Sequence, residues 1–314
     1  MPARIVLPVV LLWCASLTPS AYSQSQNVSG QAAGELTILT ATVRNKSGNF
    51  VMGLAPESFQ VFDGKETPAI ELFENADTQM SIGLVVDTSG SIQLFHSNDF
   101  ATAGGIGDAL LRFLELSNPR NEYFVMAFDN TPRFLTDWKT AAELTAQKVD
   151  IGPKKHDTAL YDALFTAKEK LETGHYRKRA LLVITDGEDN LSRHTFMQIR
   201  DSLRASEISV YGLGIATPAE VGSALGMSGE AILTELAEVT GGEAIFPRDP
   251  KHTNEVVEMF ATELRHQYRL GFRPNPANRP NQWHRIKLTV TPRAGAPEEF
   301  RKLTVRTRPG YYSK

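Results

Sequence analysis

The sequence predicts an α/β domain, a doubly wound, mostly parallel sheet, inserted between two stretches of β character. Three observations carry this expectation. Apolar runs at Ile82–Val86, Tyr123–Phe128, Ala180–Ile184, Ser209–Ile215 and Ala244–Phe246 recur through the middle of the chain. Amphipathic helical stretches near 99–116, 158–172, 195–206, 230–239 and 253–266 separate them. Strands that are apolar throughout and spaced by helices belong to a parallel sheet covered on both faces. Outside 79–265 the pattern changes to short alternating runs between turn residues, the mark of half-buried antiparallel strands.

Taken in order, Arg4 precedes the apolar stretch Ile5–Leu17, and small residues follow at Ala21 and Ser23. This predicts a signal peptide over 1–23, since about 13 apolar residues are too few for a ~20-residue membrane span. Cys14, the single cysteine, lies inside it behind Trp13, where a lipid-attachment box needs a small residue. The mature chain would then hold no disulfide and depend on its core or on bound ions. Residues 24–34 are small and polar, a flexible lead. Segments Leu36–Val43, Phe59–Phe62 and Ile70–Phe73 give 35–78 its β character. Tyr268–Phe272, Ile286–Val290 and Leu303–Val305 do the same for 266–314. Three short strands are marginal alone, so the two segments are expected to pack as one small β-sandwich-like domain.

Composition narrows the function. Charged residues are 22% and hydrophobic residues 41%, an ordinary globular balance. The formal net charge is −3 and no basic run stands out, so no nucleic-acid partner is expected. No later stretch is long and apolar enough to span a bilayer, so the mature chain is expected to lack a transmembrane segment. Its expected place is secreted, periplasmic or in the cell envelope.

The stretch SIGLVVDTSGSIQ, 81–93, leaves an apolar strand at Asp87 and then presents Ser89 and Ser91. A polar turn, half of an aspartic-protease dyad and a seat for a metal ion all compete to explain it. In open α/β sheets, ligands bind outside the carboxyl ends of the strands. Ala180–Ile184 likewise runs into Thr185-Asp186-Gly187, and Asp157-Thr158 opens a helix. Convergence would make an all-oxygen set of two carboxylates and three hydroxyls, suited to a hard cation such as Mg2+ or Ca2+. Hydroxyl ligands are neutral, so the ion keeps positive charge with which to accept a carboxylate from another molecule.

The runs LVVDTSGSI, DTALYDAL and LLVITDGEDN, with Val239-Thr240-Gly241-Gly242, resemble the von Willebrand factor type A domain over about 79–265. The flanking GLAPESFQVFDG and RTRPGYY are similar to a bacterial family of secreted proteins related to it, the Acidobacterial type. The resemblance implies a metal-ion-dependent adhesion site. Ser89, Ser91 and Thr158 would bind a divalent cation, Mg2+ first with Mn2+ or Ca2+ as alternatives, and Asp87 and Asp186 would act directly or through water. It also implies an exported, non-enzymatic protein that binds a partner presenting an acidic side chain. The alternatives are a metal-dependent hydrolase and a structural envelope protein whose ion only stabilises it.

Competing motifs are weaker. Asp-Thr-Ser-Gly carries one residue more than the protease motif and has no second copy. No histidine is placed by a motif beside Ser89, and His156 is the nearest in sequence to Thr158. Gly104-Gly105-Ile106-Gly107 lacks the Lys-Ser/Thr ending of a phosphate loop and is expected inside a helix. Many members of the family have glycine where this chain has Asp157, and Asp157 or Thr158 is expected to cap the following helix. Glu188, Asp189 and Asn190 are expected to form a solvated acidic loop.

Overall fold

Apolar strands need partners on both edges and cover on both faces, and the computed structural model shows how this chain supplies them. It describes residues 35–89, 105–147, 149, 157–215, 224–293, 295–300 and 302–313. The expected signal peptide and lead, Ser91, His156 and the helical stretch before 105 lie outside the described residues.

The central strands are β4 (Ser81–Asp87), β5 (Glu122–Phe128), β7 (Arg179–Thr185), β8 (Ile208–Gly214) and β9 (Ala244–Ile245), with β6 (Pro132–Thr140) between β5 and β7 in the chain. Every residue of β4 and β8 is buried, as two-sided cover requires. The sheet runs β6-β5-β4-β7-β8-β9, parallel except where β6 pairs antiparallel with β5. The strand β6 and the helix α2 (Ala141–Gln147) have no counterpart in the expected elements. Only Thr136 of β6 is buried, so this edge strand lacks the apolar signature of its neighbours.

Helices α1 (Ile106–Leu116) and α6 (Thr253–Arg265) cover one face of the sheet. On the other face lie α3 (Leu160–Glu172), α4 (Phe196–Arg204) and α5 (Ala224–Thr240). Gly105 is the N-cap of α1 and Gly107 lies within it, so the described part of the glycine run straddles the start of a helix.

The remaining strands form two further antiparallel sheets. One has the order β12-β1-β10-β3, made by β1 (Thr37–Asn45), β3 (Ile70–Glu74), β10 (Gln267–Phe272) and β12 (Leu303–Thr307). The other has the order β13-β11-β2, made by β2 (Phe59–Asp63), β11 (Trp283–Val290) and β13 (Gly310–Tyr312). Leu39, Val43, Leu270 and Phe272 of the first sheet share a core with Val61, Ile286, Leu288 and Tyr311 of the second. Each sheet therefore combines strands from both ends of the described chain.

A buried polar cluster joins these sheets to the α/β layer. Glu263 of α6 is 0% exposed and accepts from Thr42 Oγ1 (2.9 Å), Tyr211 OH (2.7 Å) and Arg44 (2.8 Å), and it also pairs with Arg306. Glu243 meets the same two arginines, at 2.7 Å from Arg44 and 2.9 Å from Arg306.

A candidate metal centre at the carboxyl end of the sheet

Parallel register aligns strand ends, and here it brings the polar residues together. Asp87 lies opposite Phe128, and Val86 opposite Ile184, so the exits of β4, β5 and β7 sit side by side. Beyond them the chain stays buried while turning polar. Asp87, Thr88, Ser89, Thr158, Thr185 and Asp186 are all buried.

Asp87 is 0% exposed. Its Oδ1 accepts the Ser89 backbone N–H at 2.8 Å, and its Oδ2 accepts the Thr185 hydroxyl at 2.7 Å. An aspartate bonding the N–H two residues on makes a local turn, which bends the chain sharply at the strand end. Thr88 ties the turn to β5, its N–H and its hydroxyl both donating to the Phe128 carbonyl, at 2.7 and 2.9 Å. Burial pushes Asp87 up to about 7 from its ordinary 3.8, and the charge of Asp186 adds to the rise. Donation from Thr185 and Ser89 opposes it. No cationic side chain is among the main influences on Asp87, and none pairs with it among the described residues.

The loop after β7 repeats the arrangement: Asp186 Oδ1 accepts the Glu188 N–H at 2.9 Å. Between them, Gly187 has φ +84°, and a Cβ there would come within 2.3 Å of the Gly229 carbonyl of α5. Only glycine meets both conditions, so the glycine of the TDG run is fixed by backbone geometry.

Thr158 is held from the same loop. Its N–H donates to Asn190 Oδ1 at 2.8 Å, and its carbonyl accepts the N–H groups of Asn190 (3.0 Å) and Leu191 (3.1 Å). The expected cap is corrected: the N-cap of α3 is Ala159, without a side-chain bond, and Asp157 is exposed. The N-terminal N–H groups of α3 are instead met from a distance. Tyr161 N–H donates to Asp189 Oδ1 (3.2 Å) and Asp162 N–H to Ser192 Oγ (3.0 Å). Glu188-Asp189-Asn190 is therefore not a solvated acidic loop, since two of its three side chains clamp the start of α3. Sequence reasoning also missed Thr185, whose hydroxyl faces Asp87. Its signal was its place at the end of an apolar strand, beside Asp186.

The oxygen chemistry fits a hard cation: two buried carboxylates influence each other, and the accompanying side chains are hydroxyls. Among the described residues no group of three or more His, Cys, Asp or Glu side chains forms a metal cluster. Ser91 lies outside the described residues.

Residues 82–188 match the family model of the von Willebrand factor type A domain. The chain carries a von Willebrand factor type A domain. No curated protein matches the chain significantly. Solved structures similar to it include BatB from Bacteroides thetaiotaomicron, at 15% identity and a TM-score of 0.44, covering 59% of this chain and 98% of that one. A von Willebrand factor type A protein from Catenulispora acidiphila is 12% identical, with a TM-score of 0.46 and coverage of 81% and 76%. Proximal thread matrix protein 1 from the mussel byssus, solved with zinc in its adhesion motif, is 16% identical, with a TM-score of 0.46 and coverage of 65% and 49%. In this chain the type A domain places its Asp-Thr-Ser turn and its Thr-Asp-Gly turn at adjacent strand ends. No helix among the described residues is long and apolar enough to cross a membrane.

Proposed function

We propose that this is an exported, non-enzymatic binding protein whose type A domain holds a divalent cation and uses it to engage an acidic side chain of a protein partner. The single observation that carries the reading is the burial of Asp87 beside Asp186. Two adjacent carboxylates out of water repel each other, and a folded chain keeps such a pair when a cation comes between them. Ser89, Ser91 and Thr158 complete the oxygen set, with Mg2+ the expected ion and Mn2+ or Ca2+ alternatives. Bound there, the ion would supply an electrophilic position for an incoming carboxylate. This chain's own part is to hold the oxygens: Thr185 orients Asp87, and Asp189 and Asn190 fix the loop that carries Thr158.

Isothermal titration of Mg2+, Mn2+ and Ca2+ into the EDTA-stripped protein tests the reading. One site is expected, lost in Ser89→Ala and in Thr158→Ala, each of which removes an oxygen without adding charge. Cross-linking on the envelope of producing cells, with and without EDTA, tests the partner. A chain that binds none of the three ions overturns the proposal, as does a partner retained equally in EDTA.

A further inference from the structure

The amino end of the same sheet has the opposite character. Arg177 and Lys178 immediately precede β7, and Ser209 is the second residue of β8. They meet Arg269 of β10 and Arg308, which follows β12, around a small recess of about 20 Å3 that is partly open to solvent. Glu207 is the only acidic side chain lining it among the described residues, so four cationic groups face one anionic group.

The buried cations there lack the partners that burial normally demands. Arg308 is 8% exposed, yet its terminal nitrogens donate to the backbone carbonyls of Ser206 (2.8 Å) and Arg204, not to carboxylates. Its Nε is buried without any hydrogen-bond partner. Lys178, also 8% exposed, donates to the Leu264 carbonyl. Arg177 is exposed and makes no ion pair among the described residues, and only Arg269 of the four has a carboxylate in contact, Glu74 at 2.9 Å. Carbonyls satisfy the N–H groups, but no carboxylate touches Lys178 or Arg308 among the described residues, so their charges are met only from a distance. Burial accordingly lowers Lys178 to about 8, helped by Arg269 and opposed by Asp77, Glu263 and Glu74. Burial likewise lowers Arg308 to about 10, helped by Arg204 and opposed by Glu207.

We propose that this recess binds a small oxyanion, a phosphate group, between Arg177, Lys178 and Arg308. Guanidinium forks match the oxygens of a tetrahedral anion, and the Thr40 and Ser209 side chains add hydroxyls to the lining. The recess is far smaller than a pocket that encloses a nucleotide, so only a single small anionic group is in keeping with it. The seven residues of β7 put this recess roughly 20 Å from Asp186, so it works independently of the metal centre.

Calorimetric titration of inorganic phosphate at pH 7 and constant ionic strength tests the site, with methyl phosphate in a second arm. Saturable binding at one site is expected. Equal binding of methyl phosphate identifies the natural ligand as a phosphomonoester end, and rejection of it identifies the free ion. Arg177→Gln should weaken binding by about fivefold or more while leaving the melting temperature in phosphate-free buffer unchanged. Arg308→Gln should abolish binding. Because that change also frees two carbonyls, Arg177→Gln decides the matter if Arg308→Gln folds poorly. Absence of saturable binding, undiminished binding in Arg177→Gln, or an equal stabilisation by chloride would overturn the assignment.

Discussion

Asp87 and Glu263 are both 0% exposed, yet their surroundings differ in kind. Glu263 meets the guanidinium groups of Arg44 and Arg306 and the hydroxyls of Thr42 and Tyr211. Asp87 meets the hydroxyls of Thr185 and Ser89, the Ser89 backbone N–H and the charge of a second carboxylate. The first carboxylate is answered by charges built into the chain and serves to join two layers. The second is answered only by neutral dipoles, which hold its geometry and leave its charge available. A buried acid without a built-in cation marks a place for an external one.

The largest effect should come from breaking the answered site. Glu263→Gln removes the charge that both arginines share, and it should cost about 3–5 kcal/mol in urea denaturation. A loss below about 1 kcal/mol would mean that the cluster matters no more than a surface pair. Next comes the ion. With a millimolar cation and a dissociation constant about tenfold lower, the gain is about 1.4 kcal/mol, or roughly 3–6 °C in melting temperature. Ser89→Ala and Thr158→Ala should each remove most of that rise in a comparison of EDTA with Mg2+. Glu263→Gln should keep it if it folds. A smaller effect belongs to the remote cap: Asp189→Ala should cost about 1 kcal/mol and weaken ion binding by loosening the loop that carries Thr158. An unchanged ion affinity there would show that the clamp supports α3 alone.

The two regions also differ in how far the sequence reveals them. The exits of β4 and β7 were legible because a fully apolar run that ends in Asp marks a polar strand end in a parallel sheet, where ligands bind. Asp87 and Asp186 stand out for that reason. The clamp on α3 was not legible, because Tyr161 and Asp189 are 28 residues apart and a local rule assigns capping to the nearest Asp or Thr. The Glu263 cluster was invisible on similar grounds, since Arg44 and Glu263 are separated by 219 residues. Strand β6 escaped notice because an edge strand buries too little to be uniformly apolar.

Asp87 should be costly without an ion and required with one, and a single pair of melting curves tests both halves. Well below pH 3.8 this side chain is protonated in the folded and unfolded chain alike and costs nothing. Between 3.8 and about 7 the unfolded chain releases its proton first, so stability falls as pH rises, and above about 7 the full cost is present. At pH 8 in EDTA, Asp87→Asn should therefore melt above the unsubstituted protein. In millimolar Mg2+ the unsubstituted protein should rise by roughly 3–6 °C while Asp87→Asn stays in place, closing or reversing the gap. Asp87→Asn melting lower in EDTA, with the same Mg2+ response in both proteins, would contradict the account.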